Sequence, residues 1–123
     1  MSYTAPVKDM LFNLRHLADI EQIAQIPGFE DANLDTVQAV LEECARFNQE
    51  VVAPLNWEGD KNPSAWKDGA VTTTPGFKQA YQQYREGGWQ GLQHPSDFGG
   101  QGLPKSVGSL CGEILNSANL SFA

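Results

Sequence analysis

The chain has 123 residues, 41% of them hydrophobic, and a formal charge of −7. That length buries one modest core and not two. Eight Lys and Arg are dispersed among fifteen Asp and Glu, which excludes the clustered cations that nucleic-acid binding draws on. No run of about eighteen apolar residues is present, so no membrane span is expected; a secretory leader pattern is also missing, and a cytoplasmic protein is expected.

Residues 1–6 read as an arm, because Pro6 biases the residue before it toward extended backbone. From Lys8, apolar Met10, Leu11, Leu14, Leu17 and Ala18 recur at helical spacing, with Asp9, Asn13 and Arg15 outward and Phe12 out of register. Asp19 followed by Gln22 is a capping pattern for a short second helix carrying Ile20, Ile23 and Ala24 and ended by Pro27-Gly28. The strongest periodicity runs from 35 to about 55, with Val37, Val40, Leu41, Cys44, Phe47, Val51 and Leu55 on one face. Asp35 with Gln38 predicts its cap, Glu42 and Glu43 suit the positive end of its dipole, and Pro54 predicts a kink or frayed end, with continuation toward Trp57.

Residues 58–76 hold the turn formers and read as a surface connection in which Asp68-Gly69 closes a small hairpin. Thr74 then predicts a cap with Pro75 at the first helical position, and Phe77, Ala80, Tyr81 and Tyr84 form an inner face that Gly87-Gly88 ends. Pro104 opens a last helix with Val107, Leu110, Cys111, Ile114 and Leu115 on one side, continuing through Ala118 toward Phe122. The expected class is all-α, an incomplete bundle of five helical segments with one minor hairpin.

Candidate chemistry is sparse. Cys44 and Cys111 lie at apolar helical positions without the spaced partners a zinc site requires, so no metal site is expected and both read as buried free thiols, with a disulfide left open. His16 and His94 have no orienting acid nearby in sequence, and the acids sit mainly on polar faces or in loops. Only Glu113 adjoins an apolar stripe, and a structural role is favoured there. Gly99-Gly100-Gln101-Gly102 before a helix is a weak phosphate-cradle signal without the dinucleotide register, and reads as a turn. Trp57, Trp66 and Trp89 with Tyr81, Tyr84 and Phe98 offer an aromatic surface for a flat ligand or, more commonly, packing at helix ends; Trp89 is the first to inspect.

Four stretches in order carry a family likeness: Tyr3-x-Ala5-Pro6-x-x-Asp9-Met10-x-Phe12; Leu41 to Phe47 leading to Val52-Ala53-Pro54-Leu55-Asn56 and Gly59-Asp60; the Gly88-Trp89 segment; and Pro95-x-x-x-Gly99-Gly100-x-Gly102-Leu103-Pro104. Together they resemble the amino-terminal part of acyl-CoA dehydrogenases, in particular a larger bacterial group with an amino-terminal extension that includes methylmercaptopropionyl-CoA dehydrogenase-like enzymes. The resemblance implies an extension over 1–33 and a truncated amino-terminal helical domain over 34–123. It also implies α,β-dehydrogenation of an acyl-CoA thioester by an intact parent that uses FAD and an electron-transfer acceptor. No catalytic residue transfers to this chain, since the family's catalytic glutamate and most flavin contacts lie in later sequence; the chain alone is expected to be inactive and to bind no flavin. The end, Asn119-Leu120-Ser121-Phe122-Ala123, resembles the turn that begins to line the acyl pocket, so Leu120, Ser121 and Phe122 are the candidate substrate-binding residues.

The apolar face through Ile114, Leu115, Ala118 and Phe122 is expected to be left uncovered, and self-association into a homo-oligomer would hide it. The rival expectation is a stand-alone helical interaction module without catalytic activity.

Overall fold

In a computed structural model that describes residues 2–123, the stretch after Pro6 forms α1 (Val7–His16), burying Met10 and Leu14. Leu17 and Ala18, expected on its inner face, are exposed, Leu17 at 78%, because the helix stops at His16 before their turn is reached. The arm before α1 is docked: Ala5 is buried and its N–H donates to Gln49 Oε1 at 3.1 Å. Asp19, in a left-handed conformation (φ 48°), accepts from Gln22 N at 3.4 Å and caps the single-turn α2 (Ile20–Ile23), whose Ile20 is fully buried.

The long helix begins one residue earlier than its periodicity indicates, as α3 (Leu34–Phe47). Its cap is Asn33, whose Oδ1 accepts from Thr36 N at 3.0 Å; Asp35 lies inside the first turn instead. Asn33→Ala is therefore expected to cost about 1 kcal/mol in urea denaturation, and Asp35→Ala only a few tenths. Glu42 and Glu43 are spent on the helix surface rather than at its start, Glu42 accepting from Gln38 and Glu43 pairing with Arg46, which holds the Glu43 carboxyl below its usual range.

Pro54 has the largest effect on this part of the chain. With no N–H at 54, the helix widens into a π-turn (Asn48–Val52), in which Ala53 N reaches back to Asn48 O at 2.8 Å, and then restarts as α4 (Leu55–Lys61). The single expected rod of 35–55 is thus two helices, which brings the total to six α-helices rather than five, and the first part of the expected 58–76 connection is helical.

The hairpin forms as read: β1 (Ala65–Lys67) pairs antiparallel with β2 (Ala70–Thr72), Trp66 opposite Val71, around Asp68 (φ 51°) and Gly69 (φ 81°). All six strand residues are exposed. Thr74 is not a helix cap. It is buried, donating from Oγ1 to Asn62 O at 2.9 Å and from its N–H to Ser64 Oγ at 3.3 Å, so it closes the base of the hairpin. Gly76, at φ 90°, starts α5 (Phe77–Glu86), leaving Pro75 outside the helix. The inner face of α5 is Ala80 with half-buried Phe77 and Tyr84, whereas Tyr81 is exposed and stacks on Tyr84 at 6.5 Å.

After Pro104, α6 (Lys105–Ala118) buries Val107, Cys111, Ile114 and Ala118. It closes at Asn119, which turns to extended backbone (φ −164°), and does not run on to Phe122. Helix α3 packs between α6 and α1. One apolar cluster joins Met10, Leu14, Ile20, Val37, Leu41, Cys44, Val107, Cys111 and Ile114; a smaller one joins Phe47, Val52 and Ala118 beside Tyr84, Trp89 and Phe122. The all-α architecture with one minor hairpin agrees with the sequence pattern.

Candidate functional site

The residues after α6 are placed by one buried side chain. Asn119 is 1% exposed, and its Nδ2 donates to Val52 O at 3.3 Å, a carbonyl of the π-turn. Its Oδ1 accepts from Ser121 Oγ at 2.7 Å and from Phe122 N at 3.2 Å. One amide thus ties the tail of the chain to the place where Pro54 interrupts the long helix. Asn119→Ala leaves the Val52 carbonyl without this donor and Ser121 Oγ without its acceptor, while the Phe122 amide keeps the Asn119 carbonyl at 3.2 Å; a loss of about 2 kcal/mol is expected, with earlier proteolysis after Ala118 than in wild type as the second readout.

This anchor separates the three candidate residues. Leu120 and Ser121 line a groove of about 660 Å³ whose other wall is α4, through Asn56, Trp57, Gly59 and Asp60. Gly59 permits the close approach: a methyl there would fall 2.8 Å from Ser121 Oγ and 3.3 Å from Phe77 Cζ. Leu120 is 73% and Trp57 69% exposed, with Lys61 Nζ 4.7 Å above the indole ring. Phe122 turns away from this groove. Its ring packs edge-on against Phe77 (5.4 Å, 89°) and Tyr84 (6.5 Å, 81°), beside a separate hollow of about 370 Å³ formed with Thr73, Lys78 and Tyr81.

The α4 groove is an amphipathic cleft, lined by an indole and a leucine together with an amide, a carboxylate and a hydroxyl. Such a surface can seat an apolar chain carrying a polar group. The sequence reading missed its α4 wall and Asn119. A glycine inside a helix, at Gly59, and an asparagine inside an apolar stripe, at Asn119, are the signals that point to both.

The remaining candidates stay apart. His16 and His94 are exposed, and the His16 ring lies tilted at 46° to that of Phe12, 4.6 Å between centres. Glu113 is also exposed, on the solvent side of α6. Among the described residues no group of three or more His, Cys, Asp or Glu converges, and no helix is long and apolar enough to cross a membrane.

The glycine turn before α6 does not offer a phosphate cradle, because its amides are committed. Gly99 N donates to Ser96 O, Gly100 N to Pro95 O, Gln101 N to Gly91 O, Gly102 N to His94 O and Leu103 N to Leu92 O, all at 2.8–3.1 Å. The aromatic residues do not form one platform either. Trp89 stacks on Phe47 (6.2 Å, 25°) in the smaller core cluster, whereas Trp57, Trp66 and Phe98 are exposed on different elements.

A second hollow, of about 470 Å³, lies between α6 and the segment after α5. Gln90, Gln93, His94, Lys105 and Gly108 surround it, with Trp89, Cys44 and Cys111 among its other walls. Both thiols are free, and the Cys44 S–H donates to Cys111 O at 3.9 Å. Hydrogen bonding to the Cys111 side chain, together with burial, pushes the Cys44 thiol far up, and the same contact lowers that of Cys111.

No protein-family model matches the chain. It is 43% identical over 122 residues, 99% of its length, to a 3-methylmercaptopropionyl-CoA dehydrogenase of Ruegeria pomeroyi, of which it covers 21%. It is 29% identical over 119 residues, 95% of its length, to the broad-specificity linear acyl-CoA dehydrogenase FadE5 of Mycobacterium tuberculosis, of which it covers 20%. The chain therefore spans about a fifth of the length of the curated relatives it matches. The resemblance read from the four sequence stretches is borne out.

Proposed function

Starting from a likeness to acyl-CoA dehydrogenases that runs along nearly the whole chain, we propose that these residues are the amino-terminal helical part of such an enzyme and supply a portion of its acyl-pocket wall. The observation that carries the reading is the 43% identity over 122 residues. The parent's reaction is α,β-dehydrogenation of an acyl-CoA thioester with FAD as hydride acceptor, reoxidised by an electron-transfer acceptor in the cytoplasm. The chain contributes packing and shape, and the chemistry belongs to residues outside it.

The flavin is not assigned to the residues described above. The glycine turn has spent its amides on its own hydrogen bonds, and the tryptophans point to separate places. The acyl tail is assigned to the groove between α4 and the residues after α6. There Leu120 and Ser121 meet Trp57 and Gly59, while Phe122 braces the wall from behind through Phe77 and Tyr84.

The test is to express the reading frame that contains this chain together with its downstream sequence, and to record the flavin spectrum and turnover of saturated acyl-CoA thioesters of graded length. A yellow protein that bleaches with substrate is expected, whereas the 123-residue chain stays colourless. Ser121→Phe, which fills the groove, should lower kcat/KM for the longer thioesters by about tenfold and leave the shorter ones within a factor of two or so. An extended protein without flavin or dehydrogenation would overturn the family function, and a Ser121→Phe enzyme with unchanged length preference would remove the groove from the pocket.

A further inference from the structure

Cys44 and Cys111 stand 67 positions apart in sequence, one on α3 and one on α6, and the packing of these two helices brings them to the same place. Each is nearly buried, at 2% and 6% exposure, and both contribute to the wall of the 470 Å³ hollow. Gly108 and Gly112 neighbour Cys111 on α6 and line the same hollow; the Gln93 side chain packs over Gly108, whereas the space beside Gly112 is open. Asn48 Nδ2 lies 3.5 Å from Cys44 Sγ, and its Oδ1 is buried without a partner.

We propose that Cys44 and Cys111 are a redox-sensitive pair that a small peroxide, entering through this hollow, converts to an intramolecular disulfide clamping α3 to α6. Nothing in the acyl-CoA chemistry proposed above requires it, and it stands independently of that reading.

The chemistry divides between the two sulfurs. The Cys111 thiolate attacks one peroxide oxygen; an S–O bond forms, the O–O bond breaks, and the departing oxygen leaves as water after taking up the proton released from Cys111 and the one already on it. The Cys44 sulfur then attacks the sulfenic sulfur of Cys111; the S–S bond forms, the S–O bond breaks, and hydroxide takes the Cys44 proton and leaves as a second water. Two thiols are oxidised and one peroxide is reduced to two waters. Cys111 takes the first step because it is the more exposed of the two residues, at 6% against 2%, and its contact with Cys44 favours the thiolate.

The test uses the 123-residue chain at low concentration, exposed to graded hydrogen peroxide and then digested without reductant for mass spectrometry. The expected product is a chain lighter by two hydrogen atoms, with the Cys44 peptide joined to the Cys111 peptide. Its thermal midpoint should lie above that of the reduced chain and return on reduction. Cys44→Ser should instead stop at an oxidised Cys111 that a sulfenic-acid probe labels. If that variant does not fold, the peptide map of the wild-type chain decides alone. Independent oxidation of the two sulfurs to sulfinic acid, links only between chains, or thiols that react only in denaturant would each overturn the proposal.

Discussion

Gly100→Ala is expected to destabilise the chain by about 3 kcal/mol, among the largest effects of any single methyl group here, read as a fall in the urea midpoint at unchanged slope. The cause is backbone contact. A Cβ at this position would fall inside the His94 carbonyl group and against His94 Cβ, and a main-chain atom cannot swing aside as a side chain does. The same carbonyl accepts from Gly102 N at 2.9 Å, so relieving the collision costs a second interaction. The neighbouring glycines supply the control. Gly99 (φ 80°) and Gly102 (φ 63°) have left-handed backbone but open space where a Cβ would go, so alanine there should cost only about 1–2 kcal/mol. Equal losses at positions 99, 100 and 102 would show that conformation alone, and not the approach to His94, makes the turn need glycine.

Leu41→Ala should cost about 3 kcal/mol, within the 2–5 kcal/mol range for buried leucines, and lower the thermal midpoint by roughly 10 °C. Leu41 is fully buried at the middle of α3, the helix that packs against both α1 and α6, so a cavity there has little room to collapse. Leu17→Ala is the matched contrast. Leu17 continues the apolar stripe of α1 on paper but is 78% exposed, and its truncation should change stability by less than about 0.5 kcal/mol. Comparable losses at the two sites would mean that the residues after α1 are packed and that the description of the first helix is wrong.

Much of the helical content was legible because it depends on local spacing. Val37, Leu41, Cys44 and Phe47 recur at the helical period and are buried together. Asp68-Gly69 specifies a tight turn by its own backbone preferences, and the hairpin forms around it although its strands bury nothing. The caps were less legible. Asn33 and Asp35 are both capable of capping α3, and Thr74 looked like the start of α5, but which side chain performs the task depends on where the incoming chain comes from. At Thr74 the approach of Asn62 and Ser64, ten and more positions earlier, claims the residue for the hairpin instead.

The candidate site was only half legible for the same reason. The resemblance pointed to three consecutive residues, and in the tight turn they form, closed by Phe122 N and Ala123 N on the Asn119 carbonyl, successive side chains face different ways. Asn119 then sends Leu120 and Ser121 to one hollow and Phe122 to another, through a bond to Val52 that no local pattern announces.

Amino-acid order alone determined the all-α class, the apolar faces of the helices, the hairpin turn and the family likeness, since each of these rests on residues near one another along the chain. Tertiary structure alone decided that Asn119 docks on the Val52 carbonyl, that Gly59 admits Ser121, and that Cys44 meets Cys111. These depend on which surfaces touch across dozens of intervening residues, where the cost of closing the chain is repaid only once the whole core is buried.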